Sequence, residues 1–145
     1  MTFQEPVTEE AIRALVDTFY DRVREDAILA PVFERALHGN WSAHLPRMVD
    51  FWSRVLLGTA RFQGNVFGKH MALDGITDAH FLHWLSLFTS TVNELFDNET
   101  AAEITGIADR IAASLQRGFM DRRLRGAGPA HTHDYRFRVI AEPGR

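Results

Sequence analysis

The chain has 145 residues, 46% apolar and 24% charged, a balance that suits one soluble domain with a full core. Its formal net charge of −3 gives no electrostatic reason to expect nucleic acid or an anionic membrane as partner. It has no cysteine, which excludes disulfides, thiolate metal sites and cysteine nucleophiles, and no apolar run long enough to span a bilayer.

The start, Met1 to Glu10, is acidic and lacks the basic-then-apolar order of a signal peptide, so the expected location is the cytoplasm. Thr8, Glu9 and Glu10 signal a first helix, whose apolar stripe is Leu15, Val16, Phe19, Tyr20 and Val23. Pro31 restarts the chain in a short turn carrying Val32, Phe33 and Leu37. Asn40 or Ser42 then caps a helix with His44, Met48, Phe51, Trp52 and Val55 along one face. Pro46 falls inside that face and predicts an irregular entry over residues 41–45.

Gly58 to Gly64 is expected to be a loop, and Val66, His70 and Leu73 share one side of a short helix beyond it. Asp74 and Gly75 turn the chain, and Thr77 caps a long helix bearing Phe81, Trp84, Phe88, Val92 and Leu95. Thr100 and Glu103 form a capping-box pattern opening a last helix with Ile104, Ile107, Ile111 and Leu115. Gly126, Gly128 and Pro129 break the pattern after Leu124. The basic tail that follows alternates briefly at Tyr135-Arg136-Phe137-Arg138-Val139. The expectation is an all-α domain over 1–125, its short helices crossing around something, with a mobile or loosely docked tail over 126–145.

Seven histidines are present, at 38, 44, 70, 80, 83, 131 and 133. None has the spacing of a zincin, and no nucleophile elbow, P-loop or dinucleotide fingerprint occurs. His80 and His83 stand three apart without a matching carboxylate, and His131 and His133 lie in the tail, so neither pair makes a persuasive metal site. His70 differs, with Val66, Phe67, Met71 and Leu73 around it, while His44 heads a second apolar face on another helix. A neutral imidazole, aromatic walls and a few donors on other faces are what a haem requires. Taken alone, though, eleven phenylalanines and three tryptophans at helical spacing ordinarily mean core.

The order of the pieces adds to this. F-Y-D-R-V-R-E-D (19–26), A-P-V-F (30–33), W-S-A-H-L-P-R-M-V-D-F-W (41–52), F-G-K-H-M-A-L (67–73) and H-F-L-H-W-L-S-L-F (80–88) resemble, in sequence order, the truncated haemoglobins of the third group. The resemblance runs from about Leu15 to Phe119. It implies a truncated globin-like 2-on-2 helical sandwich around a b-type haem, with His70 as proximal iron ligand. It also implies Tyr20, His44 and Trp84 on the distal side, and Phe33, Met48, Phe51, Trp52, Phe67, Leu73 and Phe88 against the cofactor. Two departures stand out: Phe62 where the family often has tyrosine, and Val66 where proline often stands.

On this reading Tyr20 is the main hydrogen-bond donor to a bound gas and Trp84 the second. His44 serves first as a gate, then as a donor, and last as a sixth ligand. Arg61 and Lys69 are candidates for the propionates. The implied function is binding of dioxygen, nitric oxide or other diatomic ligands, with oxygen chemistry on nitric oxide or peroxide supported by an external reductase. The protein is expected to be a monomer. The other readings are a haem-based gas sensor, with the tail as its output, and a haem-free helical interaction module.

Overall fold

The computed structural model describes residues 7–62, 64 and 75–124, with side chains up to residue 121. The short helix expected around His70, with Val66, Phe67, Lys69 and Leu73, lies outside the described residues, as do Asp74 and the tail.

Helix α1 spans Glu9–Glu25. It starts where its cap predicts: the Thr8 hydroxyl accepts the N–H of Ala11 at 3.1 Å, and Glu9 and Glu10 sit in the electropositive first turn. Helix α2, Leu29–Leu37, is a nine-residue helix where a short turn was expected. Its start is fixed by Asp26, whose carboxylate accepts the N–H groups of Ile28 and Leu29 at 2.9 and 2.8 Å. Pro31 stays within the first turn, where a missing N–H costs no intrahelical bond.

Helix α3 runs without a break over Trp41–Leu57, which corrects the expected irregular entry over 41–45. Pro46 is the sixth residue of this helix, so its missing N–H removes a single backbone bond near the end and the rest of the ladder carries on. Asn40, one of the two expected caps, holds the N-cap position through its backbone only, its carbonyl accepting the His44 N–H at 3.3 Å. The helix stops at Gly58, whose φ of 76° suits glycine, and the described residues that follow it through Phe62 are non-helical.

Helix α4 is Asp78–Leu95, with Thr77 at its N-cap. The Thr77 N–H donates to Nδ1 of His80 at 3.0 Å, and the Thr77 hydroxyl lies 3.0 Å from the same nitrogen. Helix α5 is Asn98–Leu124, and its cap is not the expected Thr100. Asp97 takes that role, accepting the Thr100 N–H at 2.9 Å, and this bond holds its carboxyl below the ordinary value. The two short connections, each with an acidic side chain accepting backbone N–H groups, let α2 and α5 begin sooner than apolar spacing alone suggests.

These five helices are those found among the described residues, and they make an all-α fold. Helices α1 and α3 pack as one pair and α4 and α5 as another, with α1 lying against α4 and α2 bridging to both. Ile12, Leu15, Phe19, Phe88, Val92, Phe96 and Ile104 are fully buried where the pairs meet. Arg22 fastens α1 to α4, reaching Glu94 through both terminal nitrogens at 2.7 and 2.9 Å and Thr91 Oγ1 at 3.1 Å.

Candidate functional site

Tyr20 comes from the fourth turn of α1 and is buried, with 6% of its surface exposed. Its ring meets His44 edge-on at 5.0 Å and 87°, Phe33 at 5.8 Å and Trp41 at 6.3 Å. Three helices therefore deliver one aromatic cage: α1 the phenol, α2 Phe33, and α3 both Trp41 and the imidazole. Burial pushes the Tyr20 hydroxyl well above its ordinary pKa, so it stays protonated and remains a donor. The His44 Nε2 atom is likewise shielded from solvent.

A second aromatic group adjoins the first. Phe19, next to Tyr20 in sequence and 4.9 Å from it, also meets Trp84 at 5.7 Å and Phe88 at 5.1 Å, all edge-on. Phe88 is sandwiched between two indoles: Trp84 at 5.1 Å and 5°, and Trp52 at 5.1 Å and 17°. Phe51 packs on Trp52 at 5.4 Å and on Phe62 at 5.3 Å. Trp84 is only half-buried, and no hydrogen bond among the described residues uses its indole N–H.

The structure thus brings Tyr20, His44 and Phe33 together directly and joins Trp84 to them through Phe19. Phe51, Trp52 and Phe88 are deep in the core, behind Trp84, whereas Phe33 and Met48 are half-buried and pack against the core from its edge. His70, Phe67 and Leu73 lie outside the described residues. Sequence reasoning missed Trp41. Its signal was the three-residue step to His44 on one helical face, hidden by the irregular entry expected there.

Charged neighbours sort themselves. Arg61 bonds Glu9 at 2.9 Å and Asp50 at 3.2 Å, so this propionate candidate is already engaged by two carboxylates. His83 Nε2 lies 2.6 Å from Asp26 and His80 caps α4, so the two imidazoles have separate partners. Among the described residues no three histidine, aspartate or glutamate side chains gather as a metal site. No described helix is long and apolar enough to cross a membrane.

A flat, half-open aromatic face with a shielded phenol and imidazole fits the distal half of a haem site. The donors are of the right kind, and the walls are dry.

The two-over-two helices and this cage define a globin: residues 3–117 match the bacterial-like globin family, and the chain belongs to it. Within that class it is similar to the group 3 truncated haemoglobin Ctb of Campylobacter jejuni, at 31% identity over 115 residues, 77% of this chain and 91% of that one. The crystal structure of the group III truncated haemoglobin from Campylobacter jejuni superposes with a TM-score of 0.78 at 30% identity, covering 90% of this chain and 100% of the other. The truncated-haemoglobin resemblance and the all-α truncated-globin fold both hold. Membership of the family implies a haem cofactor and small diatomic ligands.

Proposed function

We propose that the chain holds a b-type haem through His70 and binds dioxygen, with Tyr20 as the main donor to the gas and Trp84 as the second. A haem held there would supply an iron able to bind a diatomic gas and shift negative charge onto it. The observation that carries the reading is the Tyr20 hydroxyl: buried, kept protonated, and enclosed by rings with the His44 imidazole against it. Such a donor needs no reorganisation to face developing negative charge, and the dry walls strengthen the bond.

His44 stands against the same ring and serves as the gate to it. Trp84 presents a half-buried indole braced flat on Phe88. Two donors around one small ligand slow its release. That suits oxygen chemistry on nitric oxide or peroxide, with electrons from a separate reductase, better than delivery.

Rapid mixing of the oxygenated, haem-loaded protein with a scavenger measures dioxygen release. A charge-assisted hydrogen bond contributes about 1.5–3 kcal/mol, so Tyr20→Phe should release dioxygen about ten-fold faster or more. An unchanged rate removes Tyr20 from this role. A chain that stays colourless after supplementation with haemin points instead to a haem-free helical module.

A further inference from the structure

We propose that residues 135–139 of the basic tail dock within their own chain, in the groove between α4 and the first half of α5. The inference goes beyond the gas-binding reading and does not depend on it.

Helix α4 buries one face and shows another. Phe81, Phe88 and Val92 are buried in the core, whereas Leu82, Ser86, Ser90 and Asn93 repeat at helical spacing on the exposed side. With Thr105 and Asp109 of α5 they line a groove of about 790 Å³. Its two ends differ. Leu82, 63% exposed, and Leu85 make the end near the start of α4 apolar. Glu94 and Asp109 lie toward the other end and make it acidic. Arg22 already holds Glu94, at 2.7 and 2.9 Å, whereas Asp109 is exposed and enters no ion pair among the described residues. The groove therefore calls for a guest that is apolar and cationic at once.

Residues 125–145 carry that chemistry. They hold four arginines against two acids, in a chain whose net charge is −3. Tyr135-Arg136-Phe137-Arg138-Val139 alternates, and an extended run of that kind sends apolar groups to one side and cations to the other. Such a run between two walls matches Leu82 and Leu85 on α4 and Asp109 on α5.

Reach and length agree. Phe119 meets Phe81 at 5.4 Å, so the last turns of α5 lie beside the start of α4, at the apolar end of the groove. Gly126, Gly128 and Pro129 suit a reversal there. Residues 125–134 can span up to about 33 Å, ample to bring the alternating run back. That run covers about 16 Å when extended, and Leu82 to Glu94 covers about 18 Å of helix. Tethering sets the local concentration of the segment at about millimolar, so a weak site suffices.

The chain has no cysteine, so Ala141→Cys gives a single position for a nitroxide label on the full-length protein. Amide NMR signals over 86–93 and 105–109 should then lose intensity, while those of α3 keep it. Asp109→Lys changes only an exposed helix position. By replacing attraction with repulsion it should lower the docked population about five-fold. Adding Arg136→Glu and Arg138→Glu to Asp109→Lys should recover the broadening.

Broadening that is spread evenly, or centred on another face, overturns the docking. So does broadening that Asp109→Lys leaves unchanged. Broadening that arises only between chains, in a mixture of spin-labelled chain and isotope-enriched unlabelled chain, overturns docking within one chain. None of these outcomes bears on haem uptake, so the two readings fail separately.

Discussion

Phe88 is 1% exposed and carries a flat indole on each face with a third ring, Phe19, at its edge. Truncation to alanine would open a cavity among three large rings whose backbones belong to three helices, so little collapse can fill it. Phe88→Ala should therefore cost about 3–5 kcal/mol, read as a lower urea midpoint at unchanged slope, with Phe88→Leu costing clearly less. At this scale the sequence was partly legible. Tyr20, His44 and Phe33 were named from stripes and resemblance, and they do share a cage. Helical spacing could not separate Phe88 from Trp84, because both belong to one apolar stripe and differ only in depth. Depth depends on the neighbouring helix, which a single stripe does not encode. Trp41 was missed for another reason: proline five residues on argued against helix at its position, and the argument overstated the reach of one lost N–H.

Helix boundaries turn on short polar signals, and here the acidic caps decide. Asp26 closes the gap between α1 and α2 by accepting two backbone N–H groups, and it also binds His83 on α4. Burial pushes its carboxyl up, but the bonds from His83, Leu29 and Ile28 outweigh that and leave it below its ordinary pKa. A carboxyl depressed in the folded state lends its full stability above the unfolded pKa, and the contribution disappears as pH falls through the folded value. Asp26→Ala should thus lose about 1 kcal/mol at neutral pH, the usual cost of a lost cap. The gap to wild type should narrow as denaturation is repeated from about pH 4 downward. A gap that stays constant across that range would mean that the charged carboxylate is not what matters. The existence and type of α1, α3, α4 and α5 were legible from their stripes. The starts of α2 and α5 were not, because aspartate competes equally well as turn residue and cap, and only the following backbone geometry resolves which.

Across the whole molecule, two helix pairs meet in a well-filled core, yet Phe33, Met48 and Trp84 remain half-buried at its edge. Apolar side chains grouped beside a protonated, buried phenol form an incomplete face, and covering it with a flat apolar ligand would remove more of it from water. The pairing of helices was legible only through the order of the family-like pieces, since stripes say that a face is buried and not against what. A ligand that binds the folded chain and not the unfolded one stabilises it by mass action, by about 4 kcal/mol when free ligand exceeds its dissociation constant a thousand-fold. For a domain of this size such a gain raises the melting temperature by about 10 °C. Adding haemin to haem-free chain should therefore produce a Soret band and a rise in melting temperature together. His70→Ala should lose most of both, and added imidazole should restore the spectrum by filling the axial position that the side chain vacated. A Soret band and melting rise that survive in His70→Ala would assign the iron to another ligand and leave the distal cage intact. Haemin that changes neither spectrum nor melting would mean that the open aromatic face serves something other than a porphyrin.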